Sequence, residues 1–373
     1  MEFIQKPDQL TFAATMPDFI VSGIGLSAQV TLYKDTDKVL LKETMFPSDK
    51  GLVIDVKKII NDSLRVKIPT SSIFHQDEAL GLFKLVVISK GETIEYSFNA
   101  LRGGYEDYNI PSRYNAMELI YSFQPSIKQI TTESPEWLTF FIPLSTLRIR
   151  FRYYLSHGAL CATTYIDSPY SSTKNNAGLF NIDCSYSAAY KLSLTAGGIY
   201  FAYYDVDLVS EGNGSITPVT PTQRFLITQA TNAHKYYLFE NTLGGIDTLI
   251  CTGDLTRRLS MSSDITISDD IKDDSSNTHS LSFEQSVGIF TSEIELMWFR
   301  DFILSSQRYE VKEEHLYQII IEEADSEINL ADADVVNFSF RRASEDKYFG
   351  FARKRMELPT GLIFDGPGDV NFF

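Results

Sequence analysis

The chain is poor in the residues that enzymes and metal sites are usually built from. It holds only 3 cysteines, 5 histidines and 2 tryptophans in 373 residues. Cys161, Cys184 and Cys251 are odd in number and far apart, which fits neither a zinc pattern nor a disulfide framework. Cys161 and Cys184 both fall in expected strands, where they are either cross-sheet neighbours or buried free thiols. His75, His157, His234, His279 and His315 are scattered and never at ligand spacing, so no His-based triad or metal site can be assembled from them. There is no G-x-S-x-G elbow, no P-loop and no H-E-x-x-H. Uninterrupted apolar runs are missing as well: no window approaches the ~20 residues of a membrane helix. Met1–Asp8 has neither the basic start nor the apolar stretch of a secretory leader, which predicts synthesis in a reducing cytoplasm without classical export. Basic residues are outnumbered, 33 against 49 acidic, for a net charge of −16, and this argues against nucleic acid and anionic membranes as partners.

What is present is β-forming. Hydrophobic residues make up 43% and aromatics 13%, the latter carried by 26 Phe and 20 Tyr, a composition that suits pleated, half-buried surfaces. The clearest pattern is Leu147–Leu155, where Leu147, Ile149, Phe151, Tyr153 and Leu155 alternate with Arg148, Arg150 and Arg152. Successive strand residues face opposite ways, so this is a strand with one buried face and an arginine row on its wet side. Like charges two residues apart repel, so the row requires acid nearby. Either a neighbouring strand or an adjoining subunit supplies it, and Arg148, Arg150 and Arg152 are candidate interface residues on the second view.

The pattern predicts a mostly β protein of tandem sandwich-like units with one amphipathic helix near the C-terminus. An N-terminal sandwich is expected over 1–105, a second over 106–235, and a β-rich unit over 236–373. The first contains a hairpin turning at Lys90-Gly91-Glu92 and a helix over Asp55–Leu64 capped by Asp55. In the second, strands are expected over Trp137–Pro143, Leu147–Leu155, Ala159–Ile166, Leu179–Tyr186, Ala189–Ala196, Tyr200–Leu208 and Phe225–Ala230, with an exposed loop over Gly212–Pro221. In the third, Ser292 with Glu295 forms a capping box for a helix over 292–304, and strands follow at Leu316–Ile321 and Val335–Arg341. A short echo links the first two units: Leu10-Thr11-Phe12 against Leu138-Thr139-Phe140, and Gly103-Gly104 against Gly244-Gly245, which suggests a tandem repeat.

The remaining candidates are acidic or terminal. Asp264–Asp274 holds five aspartates without the ligand spacing of an EF-hand, and reads as a solvated acidic loop before it reads as a calcium site. Glu313, Glu314, Glu322 and Glu323 carry little weight as a glycosidase pair in so acidic a chain. The segment Glu357–Phe373, ending in Phe372 and Phe373, looks like an extended arm whose aromatic tip docks on a neighbour, which makes Phe372 and Phe373 further interface candidates.

Two stretches carry a family resemblance: Tyr236-Tyr-Leu-Phe-Glu-Asn-Thr-Leu-Gly-Gly-Ile-Asp-Thr-Leu-Ile-Cys-Thr-Gly253 and Met297-Trp-Phe-Arg-Asp-Phe-Ile-Leu-Ser-Ser-Gln-Arg-Tyr309. Together with Ile319-Ile-Ile321, Val336-Asn-Phe-Ser-Phe-Arg-Arg342, Pro17-Asp-Phe-Ile20 and Phe46–Asp55, the chain resembles virion tail proteins of phages and prophages of gut Bacteroidetes. The resemblance implies a structural tail-tip or baseplate part located in the virion, with other tail proteins and further copies of itself as partners. It implies no catalytic residue and no cofactor, and no collagen-like or β-helical fibre repeat is visible. The competing expectation is a carbohydrate-binding module that recognises host-surface glycans through its tyrosines.

Overall fold

In the computed structural model, residues 1–35, 37–105, 119–143, 146–169, 178–197, 200–212, 214–231, 233–268, 271–290, 292–312, 315–324 and 335–343 are described. The protein is mostly β, with five sheets and three helices among these residues.

The N-terminal unit faces a three-stranded sheet, ordered Glu2–Gln5, Phe19–Ser22, Leu52–Ile54, against a five-stranded sheet. The latter runs Leu10–Phe12, Glu92–Leu101, Leu80–Ser89, Ala28–Lys34, Lys38–Met45. Phe19, Val21, Leu52 and Ile54 of one layer meet Val30, Leu32, Phe83, Leu85, Val87 and Phe98 of the other in a single core. That contact of two inner faces defines a sandwich. The expected hairpin is present: Lys90 and Gly91 both have positive φ, at 52° and 79°, as a two-residue turn matching the strand twist requires. Helix α1 spans Lys57–Ser63, and its N-cap is Val56 rather than the expected Asp55. Asp55 still supports the start, its Oδ1 accepting from the Lys57 amide at 3.1 Å.

The second unit repeats this plan. A three-stranded sheet ordered Trp137–Ile142, Gly178–Asp183, Ile73–His75 packs on a sheet of Ile127–Thr131, Gln223–Thr228, Tyr203–Gly212, Leu147–Tyr154 and Leu160–Ile166. Ser215–Pro218, expected as loop, adds a strand beside Tyr203–Gly212. In both units the first strand of the larger sheet pairs in parallel with the last: Leu10–Phe12 with Glu92–Leu101, and Ile127–Thr131 with Gln223–Thr228. In both, a helix follows the strand that closes the smaller sheet. The two larger sheets therefore share one strand order, while the smaller sheets differ in their third strand, Glu2–Gln5 flanking Phe19–Ser22 in the first and Ile73–His75 flanking Gly178–Asp183 in the second. The Leu-Thr-Phe echo falls on strands that are not equivalent. The equivalent of Leu10–Phe12 is Ile127–Thr131, not Trp137–Ile142. The glycine pairs are not equivalent either; they meet in space, Gly104 N donating to Thr242 O at 2.7 Å.

Helix α2, Tyr186–Leu194, corrects the strand expected over Ala189–Ala196. Ser185 caps it by accepting from Ala188 N, and Ala188 and Ala189 favour helix, so the apparent alternation of Leu192 and Leu194 is outweighed.

The third unit is a seven-stranded sheet ordered Ile246–Cys251, Lys235–Glu240, Arg308–Lys312, His315–Ala324, Val335–Arg342, Ile271–Ile289, Leu255–Ser268. Helix α3, Glu293–Leu304, covers one face, with Trp298, Phe299 and Phe302 packed on Tyr237, Phe239, Phe338 and Phe340. The expected capping box is formed by Ser292 and Glu295. Of the acidic stretch expected as a loop, Asp264–Ser268 and Ile271–Asp274 are built instead into the long hairpin of Leu255–Ser268 and Ile271–Ile289. Its backbone register overrides the low strand propensity of Asp and Ser.

A fourth core joins the units. Phe12, Val66, Ala79 and Leu101 of the first, Tyr121, Phe141 and Leu179 of the second, and Leu238, Leu243 and Ile246 of the third form one apolar cluster. Ile73–His75, from the first unit's sequence, crosses into the second unit's sheet and reinforces this joint.

Candidate functional site

The arginine row lies on the outer face of the second unit's larger sheet, as its alternation requires: the neighbours Ile149, Phe151 and Tyr153 are fully buried. The antiparallel register with Tyr203–Gly212 sets Arg150 opposite Asp207 and Arg152 opposite Asp205. Arg150 grips Asp207 with two bonds, Nε to Oδ1 at 2.9 Å and Nη2 to Oδ2 at 2.6 Å. Arg152 reaches Asp207 at 3.3 Å and Asp205 at 3.6 Å. Arg224, from the next strand, holds Asp205 with two bonds of 2.7 and 2.9 Å. At the far end Arg148 pairs with Glu211 at 2.9 Å and Asp167 at 2.7 Å. These side-chain hydrogen bonds hold the guanidiniums of Arg148, Arg150 and Arg224 above their ordinary pKa. The charge requirement of the row is thus met inside the chain, and no acid from another subunit is needed to balance it.

Aromatic rings extend the zipper. Tyr154 and Tyr203 stack at 4.8 Å, with the Arg224 guanidinium 4.8 Å from the Tyr203 ring, and Arg148 sits 4.9 Å from that of Tyr165. Sequence reading named the arginines but missed Asp205, Asp207 and Arg224. The signal was there in Asp205-Val206-Asp207-Leu208, an acid-apolar alternation complementary to the row. Phe372 and Phe373, the other interface candidates, lie outside the described residues. So do the side chains of Asp264, Asp273 and Asp274, and the whole of Asp269, Asp270, Glu313 and Glu314.

A second set of polar groups sits where the units meet. Lys128 Nζ donates to Glu136 Oε2 at 2.6 Å, Gln124 Oε1 at 3.1 Å and Thr248 O at 2.6 Å, with its ammonium 5.0 Å from the Trp298 ring. Asp247 accepts from Ser122 at 2.7 Å and Trp298 Nε1 at 3.2 Å. Arg102 Nε donates to Glu240 at 2.7 Å, while its Nη1 satisfies the Asn61 and Leu64 carbonyls at the end of α1. Gln76, Asn181 and Thr139 form a buried chain that ends on the Ile246 amide. Burial pushes the Glu136 carboxyl up to about 7 against the pull of Lys128. Burial, then the charge of Asp247, pushes Asp301 up to about 7 as well, although its carboxylate accepts from the Thr242 amide at 3.0 Å.

Raised carboxyls of this kind serve acid–base chemistry when they open on a cleft. These do not. A cleft of about 300 Å³ is lined by Arg258, Glu284, Glu322 and Glu323 among others, and one of about 710 Å³ by Asp62, Arg65, Glu78, Arg102 and Tyr309 among others. Neither includes Glu136, Asp247 or Asp301. Cys161, Cys184 and Cys251 are free thiols, and burial pushes the latter two well above their usual range. Among the described residues there is no group of three or more His, Cys, Asp or Glu arranged to hold a metal, and no helix long and apolar enough to cross a membrane.

These features define a multi-unit β protein whose polar side chains are spent on joining its own strands and units. No family model matches the chain, and no curated protein matches it. Solved structures similar to it include the N-terminal four Ig domains of Dscam1 isoform 4.44, at a TM-score of 0.17 and 9% identity, over 76% of this chain and 74% of that one. The same four domains of isoform 1.9 align at 0.16 and 8%, over 75% and 69%. Superpositions this loose carry no argument, and the fold assignment rests on the sheets and cores described above.

Proposed function

We propose that this chain is a structural component of a phage or prophage-derived tail, at the tip or baseplate, and acts by assembling with other tail proteins. The observation that carries the reading is the joint. Three β units are locked by a shared apolar core, by the buried Arg102–Glu240 ion pair between the first and third, and by Lys128 of the second, which bonds the Thr248 carbonyl of the third. Such a joint suits a part that holds its shape under load, and the raised carboxyls within it act as struts. The resemblance of Tyr236–Gly253 and Met297–Tyr309 to virion tail proteins supplies the setting, with the virion as location. The test is mass spectrometry of purified particles from an induced producing strain, with immunogold labelling to locate the chain. A signal at one end of the tail is expected; particles that lack the protein overturn the reading.

A second reading is favoured by one observation. Tyr154 and Tyr203 stack beside Arg224 on an open sheet face, an arrangement able to receive a sugar ring. Glycan-array binding that disappears in Tyr203→Ala, with the fold intact, would select host-glycan recognition over a purely structural role.

A further inference from the structure

The seven-stranded sheet ends in an edge that the described residues leave uncovered. Leu255–Ser268 is its outermost strand, 14 residues long, and it pairs on one side only, with Ile271–Ile289. That pairing runs from Leu255 opposite Gln285 to Ser268 opposite Ile271. The next strand inward, Val335–Arg342, accompanies the hairpin only as far as Phe283. Beyond Arg257 and Phe283 the hairpin is therefore a two-stranded ribbon among the described residues. A ribbon of two strands is marginal in water by itself, and an edge of this length presents about 45 Å of amides and carbonyls that no described residue pairs. Proline is one of the devices that blunt such edges, and residues 255–289 contain none; the hairpin carries charges and one register shift, between Asp264 and Ile265, instead.

The charges along the edge say what fits it. Arg257 and Arg258 stand at the root of the ribbon. Asp264 stands towards its tip, with Asp273 and Asp274 at register positions opposite Thr266 and Ile265. Arg258 touches Glu284 at 2.8 Å but is largely exposed, so its charge remains available to a neighbour. Two such ribbons side by side in parallel would set arginines against arginines. Antiparallel, the basic root of one lies beside the acidic tip of the other.

We propose that the outer edge of Leu255–Ser268 pairs antiparallel with the same strand of a second copy, about a two-fold axis, to give one sheet continuous across both molecules. An axis at Met261 places Arg258 of each copy opposite Asp264 of the other. This deepens the assembly reading by naming the surface used, and it does not depend on which particle the chain joins.

The test is sedimentation velocity on the full chain across a concentration series, with hydrogen exchange read over Leu255–Ser268. A dimer is expected, with protection of that strand rising with concentration. Arg257→Glu with Arg258→Glu should weaken the dimer by about tenfold or more, because it sets acid against acid. Adding Asp264→Arg to that variant should recover association, since the charges are then exchanged rather than lost. An unchanged thermal transition shows that the variants fold. A chain that stays monomeric overturns the proposal, whether its edge exchanges freely or is already protected by another segment. So does a dimer indifferent to both charge changes. Particles that incorporate the chain while its edge proves monomeric would sink this inference and leave the tail reading standing.

Discussion

Asp207 is the residue on which the arginine row turns. Its carboxylate is 1% exposed and accepts from both Arg150 and Arg152, so Asp207→Ala strands the Arg150 guanidinium on a half-buried face and leaves Arg152 only Asp205 and Thr222. Removing the shared partner of buried charges should cost roughly 2–4 kcal/mol in chemical denaturation. Arg148→Ala, by contrast, should cost less than about 1 kcal/mol, because Glu211 and Asp167 are solvated and exposed pairs contribute little. Equal losses would mean that the zipper is not organised around Asp207. Asp301 makes a prediction of a different kind. Its carboxyl titrates near 7 when folded and near 3.8 when free, so between those values the folded state holds the extra proton. Stability contributed by that proton is full below about pH 4 and declines as pH rises through 7, by a few kcal/mol. Asp301→Asn should flatten this part of the stability profile measured by denaturation between pH 5 and 8; a profile unchanged by the substitution would show that Asp301 is not its source.

Helices and hairpins show where the chain's pattern can be read and where it misleads. The capping box at Ser292 and Glu295 is local, three residues apart, and α3 starts where that signal puts it. The alternation of Leu147–Tyr154 is equally local, and its buried and open faces fall as expected. Helix α2 is illegible as a helix because only 9 residues form it and two of them, Tyr186 and Tyr190, favour strand. Its stability rests on the Ser185 cap and on packing into the second core, so Ser185→Ala should cost about 1 kcal/mol in thermal or chemical unfolding. No measurable loss would place its stability in packing alone. The long hairpin was hidden for another reason: aspartate and serine are poor strand formers, and only cross-strand register reveals the pairing. The same limit explains Asp205 and Asp207. Their strand was expected, but which strand would lie beside Leu147–Tyr154 is a long-range fact that no local pattern contains.

Whether the three units act as one body depends on the joint. Lys128 and Glu136 are 6% and 0% exposed at their side chains, and Lys128 also bonds the Thr248 carbonyl of the third unit. Lys128→Met leaves a carboxylate enclosed without its cation, which should cost about 3–5 kcal/mol; Lys128→Met with Glu136→Leu should recover most of it, since matched apolar side chains replace a buried pair well. The neighbouring pair, Arg102 and Glu240, ties the first unit to the third. With both ties and the shared core intact, calorimetry should show one unfolding transition for the whole chain. Arg102→Ala removes the first unit's hold on Glu240 and on the end of α1, while the cores of the second and third units are untouched. The single transition should then divide, the N-terminal sandwich melting below the rest. A wild-type chain that already melts in separate steps would show that the joint does not couple its units, and the force-bearing role proposed for this protein would lose its physical basis.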